Sequence, residues 1–577
     1  MSFIKSQEIK IKKLLESLEY EIVEFQLEKS NRPEFGMYQY NGAMSLAKKY
    51  HQNPRVIADA IVKELSKNPD LENINIQGPG FINLSFKDEA ISEYMNELLK
   101  DVHIAISKYP KKTIVLDYGG ANVAKVLHVG HLRSANIGEA LRRLACLCGY
   151  NVISDVHLGD FGRQMGMIIL EIKNRYPDLP YFDEKFIGEY PLTCPITNQD
   201  LETIYPIANK KAKENEDIMN EAREITNDLQ KGHAGYTALW KTIVELSVAD
   251  IKALYDLLGA KFDYWYGESD TNRYIPELTE YLNGIHILKK SDGATIIDVS
   301  KDEDKKEIPP FIYIKSNGSL SYEATDLATI YQRNKEFKPD QIWYVVDNRQ
   351  ELHFIQTFRA AYLSKIIGED VKLEFLGFGT MNGVDGKPFK TRDGGVKPLE
   401  ELIKEVKEEC LKYVSNNLEE KEKIAEQVAI ACLKYADLLP NRNKDYIFDV
   451  AKFCDVQGKT GAYLLYSTVR IRSLLKKSEV AEYHFIKTYN KYDKEVVLKL
   501  LELTKVVDNA LKNKSLSEIC EYLYSLNSTY NNFYNEIKIL TEENEEKRTS
   551  WLGLSKIVYE VNKMLLDILA IKVPERM

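Results

Sequence analysis

The sequence predicts an α/β fold: a Rossmann-like parallel sheet interrupted by an inserted domain, preceded by a small α/β domain and followed by an all-helical C-terminal part. Three observations carry this expectation. Thr113-Ile-Val-Leu-Asp117 and Val152 to Val156 are short apolar runs of the buried-strand type, joined by a helix pattern from about Leu132 to Cys148, which makes a βαβ unit. Strand-like runs return at FIYI (311–314), QIWYVV (341–346) and LEFLGFG (373–379), with helical stretches at 321–334 and 351–366 between them. From Leu399 onward the apolar period is three to four throughout, as in packed helices.

Taken in order, residues 1–107 form the N-terminal unit, helical at first and closing on the β-rich run from Asn73 to Leu84. Residues 108–169 hold the first half of the parallel sheet, ended by Gly119 and Gly120 where the first strand stops. Residues 170–305 are mostly charged helix with irregular pieces, an insertion between strands. The sheet resumes over 306–398, a helical stem follows over 399–445, and 446–577 is a helical C-terminal domain. A chain of 577 residues needs several such units, because one core rarely organises more than about 250–300 residues.

Composition narrows the function classes. Apolar residues make up 44% and charged residues 29%, ordinary globular values, and no stretch approaches the roughly 18 apolar residues of a membrane span. The acidic residues Glu8, Glu16 and Glu19 in the first segment are unlike a signal or transit peptide, so a cytoplasmic location is expected. The net charge of −9 disfavours a non-specific nucleic-acid coat but leaves room for a structured RNA read through local basic tracks such as KTRDGGVK and VRIRSLLKK. The seven cysteines are scattered with no CxxC pair, so neither disulfides nor a structural zinc is expected and buried packing is their reading.

The most informative segment runs from Leu116 to Ser134 and contains Asn122-Val-Ala-Lys125 and His128-Val-Gly130-His131. It lies where a strand hands over to a helix N-terminus, whose free N–H groups and dipole favour phosphate oxygens. Two histidines three apart can face one ligand and donate to phosphate oxygens as charge develops, while Gly130 lets a nucleotide approach the backbone. His128-Val-Gly-His131 resembles the HIGH signature of class I aminoacyl-tRNA synthetases. The surrounding residues resemble the arginyl-tRNA synthetases in particular, through His157-Leu-Gly-Asp160, Lys434-Tyr-Ala-Asp437, Asp445-Tyr-Ile-Phe-Asp449 and the terminal Val573-Pro-Glu-Arg-Met577.

That resemblance implies arginine activation by ATP with Mg²⁺ on the nucleotide, then transfer to the terminal adenosine of tRNA(Arg). The partners implied are L-arginine, ATP and tRNA, with a monomer expected. Asp385-Gly-Lys387-Pro-Phe-Lys390-Thr-Arg392-Asp-Gly-Gly395 is similar to the family's degenerate phosphate loop, with Lys387, Lys390 and Arg392 as its cations and Lys125 compensating a missing lysine. A guanidinium has five donors and no acceptor, so its pocket needs carboxylates and aromatic walls. Tyr322 and Asp326 lie four apart on one helix face and, by resemblance, hold it with help from Asp117, while Asn122 and Gln356 hold the α-amino and α-carboxylate end.

For RNA, Tyr463, Tyr466 and Arg470 combine aromatics and a cation at helical spacing, and Ala462 and Leu465 depart from the usual Pro and Gln of the family's anticodon-binding helix. Tyr534 and Met577 join them by resemblance. Phe35-Gly-Met37-Tyr38-Gln39-Tyr-Asn41 is similar to an N-terminal motif with Met37 in place of Asp, and implies that Tyr38, Gln39 and Asn41 touch the D-loop corner of tRNA. Two alternatives stay open: a catalytically silent tRNA-binding paralogue and a class I synthetase for another amino acid.

Overall fold

The computed structural model describes residues 2–32, 34–193, 195–388, 397–415 and 419–577. The chain divides into two compact units: residues 1–108 with 463–567 and 573–577, and residues 109–462 with 568–572.

The first unit opens with α1 (Phe3–Leu15), whose buried Phe3, Gln7, Ile11 and Leu15 recur every fourth residue on one face. Then come β1 (Glu28–Lys29), β2 (Tyr38–Tyr40), α2 (Gly42–Tyr50), α3 (Pro54–Leu65), β3 (Leu71–Gln77), β4 (Phe81–Phe86) and α4 (Asp88–Lys100). The four strands form an antiparallel sheet in the order β1-β2-β4-β3.

The second unit begins with β5 (Thr113–Asp117), α5 (Val129–Leu147) and β6 (Asn151–Asp155), the βαβ unit the sequence predicts. The insertion supplies α6 (Arg163–Arg175), α7 (Asn198–Glu214), α8 (Glu216–Gln230), α9 (Ala234–Leu257) and α10 (Ile275–Gly284), then a hairpin of β7 (Lys289–Ser291) and β8 (Ala294–Ile297). After β9 (Phe311–Ile314) follow α11 (Tyr322–Phe337), β10 (Gln341–Tyr344), α12 (Glu351–Leu363), β11 (Lys372–Phe375) and β12 (Met381–Asn382). The central sheet is parallel, in the order β11-β10-β5-β6.

The FIYI run is a strand, but not of that sheet. β9 pairs antiparallel with β8, giving a separate sheet β7-β8-β9. The reason lies in its two faces: Phe311 and Tyr313 are fully buried while Ile312 is 37% exposed, the one-sided pattern of an antiparallel edge. Four of the five residues of β5, in contrast, are buried. Both sheets share one core, where Val115 and Ile342 meet Leu327 and Ala328 of α11, Ala360 and Ala361 of α12, and Phe311 and Tyr313.

The stem consists of α13 (Leu399–Cys410) and α14 (Lys421–Leu438), followed by β13 (Tyr446–Ile447), which pairs parallel with β12, and α15 (Val450–Cys454). The cysteine reading needs two corrections. Cys146 is exposed, and the sequence-distant Cys410, Cys432 and Cys454 converge, buried, with sulfurs within 4.8 Å of one another. Cys194 lies outside the described residues.

Five helices close the chain: α16 (Gly461–Ser478), α17 (Lys491–Leu501), α18 (Leu503–Asn513), α19 (Ser517–Glu536) and α20 (Glu545–Ile568). Within the first unit these helices bind the N-terminal segment directly. Ser92 Oγ and Asn96 Nδ2 donate to the Phe485 carbonyl at 2.9 and 2.7 Å, the Phe485 amide donates to Asn96 Oδ1 at 3.0 Å, and Thr504 Oγ1 donates to the Ala105 carbonyl at 2.6 Å. No helix among the described residues is long and apolar enough to cross a membrane.

Candidate active site

At the carboxyl ends of β5 and β10 lies a cavity of about 750 Å³, the place where parallel α/β sheets keep their ligands. The N-terminus of α5 forms one wall. His128 caps this helix, and its Nδ1 accepts a hydrogen bond from the Gly130 amide at 3.0 Å. His131 Nδ1 accepts from the His128 amide, also at 3.0 Å. A neutral imidazole whose Nδ1 accepts carries its proton on Nε2, so each ring has one N–H donor left for a ligand.

Burial, then the charges of His128 and Lys125, pushes the His131 pKa down to about 3; burial, then Lys125 and Arg349, lowers that of His128. Both rings are therefore neutral donors at neutral pH. A Cβ at Gly130 would stand 2.9 Å from His128 Cε1, so any other residue would displace the ring. Ser134, one turn further on, accepts from the Gly119 amide at 2.8 Å and donates to the Val345 carbonyl at 2.7 Å, tying the ends of β5 and β10 to this helix.

The opposite wall is acidic. Tyr322 and Asp326, on one face of α11, both line the cavity, as do Asp117 and Asn122. Asp326 Oδ2 contacts His353 Nε2 at 2.5 Å; burial would lower the His353 pKa, but the bond to Asp326 and the charges of Asp326 and Glu323 outweigh it and raise it. Asp117 is fixed by the buried Arg333, whose Nη2 donates to Asp117 Oδ2 and Asp155 Oδ2, both at 2.7 Å. One oxygen of Asp117 is thus held in the core, which leaves the other for a ligand.

Among the lining residues to which the sequence assigns no ligand contact are Glu268, His157 and Gln350. Glu268 comes from the insertion, where residues 264–267 run parallel to the end of β6 through bridges Asp155 to Tyr264 and Leu158 to Gly267. Burial, reinforced by Asp326 and Asp160 and opposed by His157, pushes its pKa up to about 7. A carboxyl so raised beside other acids marks a place where a cation would be welcome. His157 sits at φ +42°, a left-handed conformation costly for a side chain with Cβ, and both its ring nitrogens are buried without a partner among the described residues. Gln350 closes the short 3₁₀ turn Asn348–Gln350 after β10.

Gln350 corrects one expectation. Gln356 does not line the cavity: it sits in the second turn of α12, where its Nε2 donates to the Pro309 and Pro310 carbonyls at 2.8 and 3.3 Å. Lys125 does not line it either; its Nζ stands 4.6 Å from the Tyr205 ring centroid, though its charge is felt by both histidines. Lys387 is exposed on a tight turn, its carbonyl accepting from the Gly383 amide at 2.8 Å. Lys390 and Arg392 lie outside the described residues.

The RNA candidates sort by exposure. Tyr466, 48% exposed, stands 5.7 Å from the Arg470 guanidinium, which lies 4.6 Å from the Tyr534 ring. Asn531 joins the group, donating to the Tyr463 hydroxyl at 2.8 Å and accepting from Arg470. Gln39 Nε2 donates to Asn41 Oδ1 at 2.6 Å, and Asn41 donates to Glu28 at 3.0 Å, a polar ladder at the edge of β2. Tyr38, by contrast, is 6% exposed with its ring against Phe86, so its expected RNA contact is corrected to a packing role. Met577 is half-buried at the C-terminus.

Comparison with known proteins agrees with this layout. Residues 93–450 match the family described as tRNA synthetases class I (R), catalytic domain. Residues 6–86 match the arginyl tRNA synthetase N terminal domain, and residues 464–577 the DALR anticodon binding domain. The chain is 46% identical over 561 residues to the arginine–tRNA ligase of Alkaliphilus oremlandii and 43% identical over 567 residues to that of Agathobacter rectalis, covering 95% of each chain in both pairs. Among solved structures, arginyl-tRNA synthetase from Plasmodium falciparum superposes with a TM-score of 0.79 at 25% identity, over 100% of this chain and 99% of that one. The Thermus thermophilus arginyl-tRNA synthetase shares the fold with a TM-score of 0.79 at 20% identity, over the whole of both chains.

Proposed function

The chain belongs to the arginyl-tRNA synthetases, and from that premise we propose how its residues divide the work of an arginine–tRNA ligase. The arginine α-carboxylate attacks the α-phosphorus of ATP and pyrophosphate leaves; the arginyl-adenylate then passes its acyl group to the 2′-hydroxyl of the terminal adenosine of tRNA(Arg), releasing AMP. The Nε2–H groups of His128 and His131 donate to phosphate oxygens as charge moves onto them, with Gly130 giving the nucleotide room. Lys387, Lys390 and Arg392 supply cations to the departing pyrophosphate, and Lys125 adds its field from behind the histidines. Mg²⁺ supplies charge neutralisation on the triphosphate. Among the described residues, the cysteine trio is the one group of three or more side chains with metal-ligand spacing, and none of its members lines the cavity.

The observation that carries the reading is that these two histidine donors share one cavity with Asp117, Glu268 and Asp326. Three carboxyl groups and Tyr322 suit a guanidinium, whose fork of donors a lysine ammonium cannot imitate. Asn122 and Gln350 are left for the α-amino and α-carboxylate end. A second cavity of about 780 Å³ shares Glu268 and Tyr322 with the first and is edged by Arg163, Arg223 and Lys315, cations that suit the acceptor end of tRNA. Residues 1–107 and 446–577 take the remaining tRNA contacts, through Gln39 and Asn41 and through Tyr463, Tyr466, Arg470, Tyr534 and Met577. One chain carries all these parts, so we take a monomer in the cytoplasm, beside the ribosomes it supplies, as the working form.

Aminoacylation of total tRNA with each amino acid separately tests the scheme, and arginine alone should be incorporated. Asp326→Asn keeps volume but removes charge, and should lower kcat/KM for arginine by roughly 100-fold, about 2–3 kcal/mol, with little change in folding. A kcat/KM within twofold of wild type would return Asp326 to the status of a solvated helix carboxylate.

A further inference from the structure

Cys410, Cys432 and Cys454 come from three different helices, α13, α14 and α15, and are separated in sequence by more than twenty residues at each step. All three are buried, and their sulfurs lie within 4.8 Å of one another. Three thiols used merely as small hydrophobes have no reason to point at a common centre. Sulfurs bound at about 2.3 Å to one tetrahedral ion lie roughly 3.8 Å apart, so small rotations of these side chains would close the set around a metal. We propose that Cys410, Cys432 and Cys454 form a structural zinc site that locks the stem helices together.

Soft thiolates select zinc over the hard Mg²⁺ of the reaction, which keeps the two ions apart. Three thiolates occupy three of the four positions zinc prefers. Glu409, adjacent in sequence to Cys410, pairs with Lys412 at 2.6 Å and would have to turn from that partner to supply the fourth. The position gives the site a use. At its other end α13 is bonded to the histidine segment, the Leu399 amide donating to the Leu127 carbonyl at 2.8 Å, while α14 carries Asp437, which holds Arg133 of α5. A metal at the C-terminal end of α13, held also by Cys432 five residues before Asp437 on α14, would stiffen the support of the catalytic wall.

The test uses the full-length enzyme, purified under reducing conditions without a metal-affinity step. Elemental analysis should find one zinc per chain, and exchange for Co²⁺ should give a sulfur-to-cobalt charge-transfer band with tetrahedral d–d absorption. Cys410→Ser, Cys432→Ser and Cys454→Ser should each lose that band, whereas Cys146→Ser, at an exposed thiol outside the trio, should keep it. Should a trio variant fail to fold, the wild-type protein still decides: added Zn²⁺ should raise its thermal midpoint and protect three thiols from alkylation. Wild-type protein that binds neither Zn²⁺ nor Co²⁺ while its three thiols are free would overturn the proposal. So would a disulfide within the trio, or copper or iron in place of zinc.

Discussion

His128 and His131 each commit Nδ1 to a backbone amide, so the only thing either ring can offer a ligand is the Nε2–H, and it does so without a positive charge. His128→Ala and His131→Ala should each lower kcat by about 100-fold or more with a modest change in the KM for arginine, as expected for donors that matter most when charge develops. Wild-type rates in both variants would remove the pair from the reaction. A buried lysine behaves differently. Lys434 of α14 is fully buried, its Nζ has no hydrogen-bond partner among the described residues, and burial pushes its pKa down to about 7. Below pH 7 the folded and unfolded forms are both protonated, and the native state carries the whole cost of an unpaired buried ammonium. Between about pH 7 and the ordinary lysine value the native state releases the proton while the unfolded state keeps it, so that stability rises with pH. Lys434→Met should therefore raise the urea midpoint at pH 6.5, by a gain that shrinks at pH 9. An equal gain at both pH values would show that the ammonium is not the cause.

The elements that hold these residues are coupled through one buried cation. Arg133 of α5 is 1% exposed; its Nε donates to Asp437 Oδ1 at 2.8 Å, its Nη1 to the Gly379 carbonyl at 2.5 Å, and it lies 5.0 Å from the Tyr446 ring. It thereby joins the histidine helix to the stem and to the segment just before β12 that leads into the phosphate loop. Asp437→Asn leaves this guanidinium without its charge partner and should cost about 3–5 kcal/mol by denaturant unfolding, with a loss of activity. A change under about 1 kcal/mol would mean that the Gly379 carbonyl and the Tyr446 ring suffice for Arg133. Much of this scale was legible in the sequence. The strand–Gly–His–Gly–His run declared both the end of β5 and the start of α5, because an apolar run that stops at glycines and turns to a period near 3.6 admits few other structures. FIYI was placed in the wrong sheet because four apolar residues say strand but not which partner; that is settled by the β7–β8 hairpin, whose charged Lys289-Lys290 gave no strand signal. Glu268 was invisible because it reaches the cavity from an insertion more than a hundred residues after β6. Gln356 and Gln350 share a neighbourhood in the sequence, and only the 3₁₀ turn distinguishes the one that lines the cavity.

At the scale of the whole molecule, adenylate formation should depend on tRNA. Residues 397–399, just after the loop proposed to bind phosphate, are bonded to the histidine segment through the Leu399 amide and the His128 to Pro398 bridge before the chain runs into α13. RNA that binds one arrangement of this described segment better than another will shift it and the histidines together. Arginine-dependent pyrophosphate exchange should stay near background in RNA-free buffer and appear when cognate tRNA is added; robust exchange without RNA would count against the coupling. A further consequence concerns how the molecule is made. The first compact unit draws residues 1–108 from one end of the chain and residues 463–567 and 573–577 from the other. Translation delivers these pieces some 355 residues apart, so at ~5–20 residues per second residues 1–108 wait roughly 20–70 s on the ribosome before the second piece begins. During that interval Asn96 has no Phe485 to bind and the Ala105 carbonyl no Thr504, so a segment made early finds its native partners late.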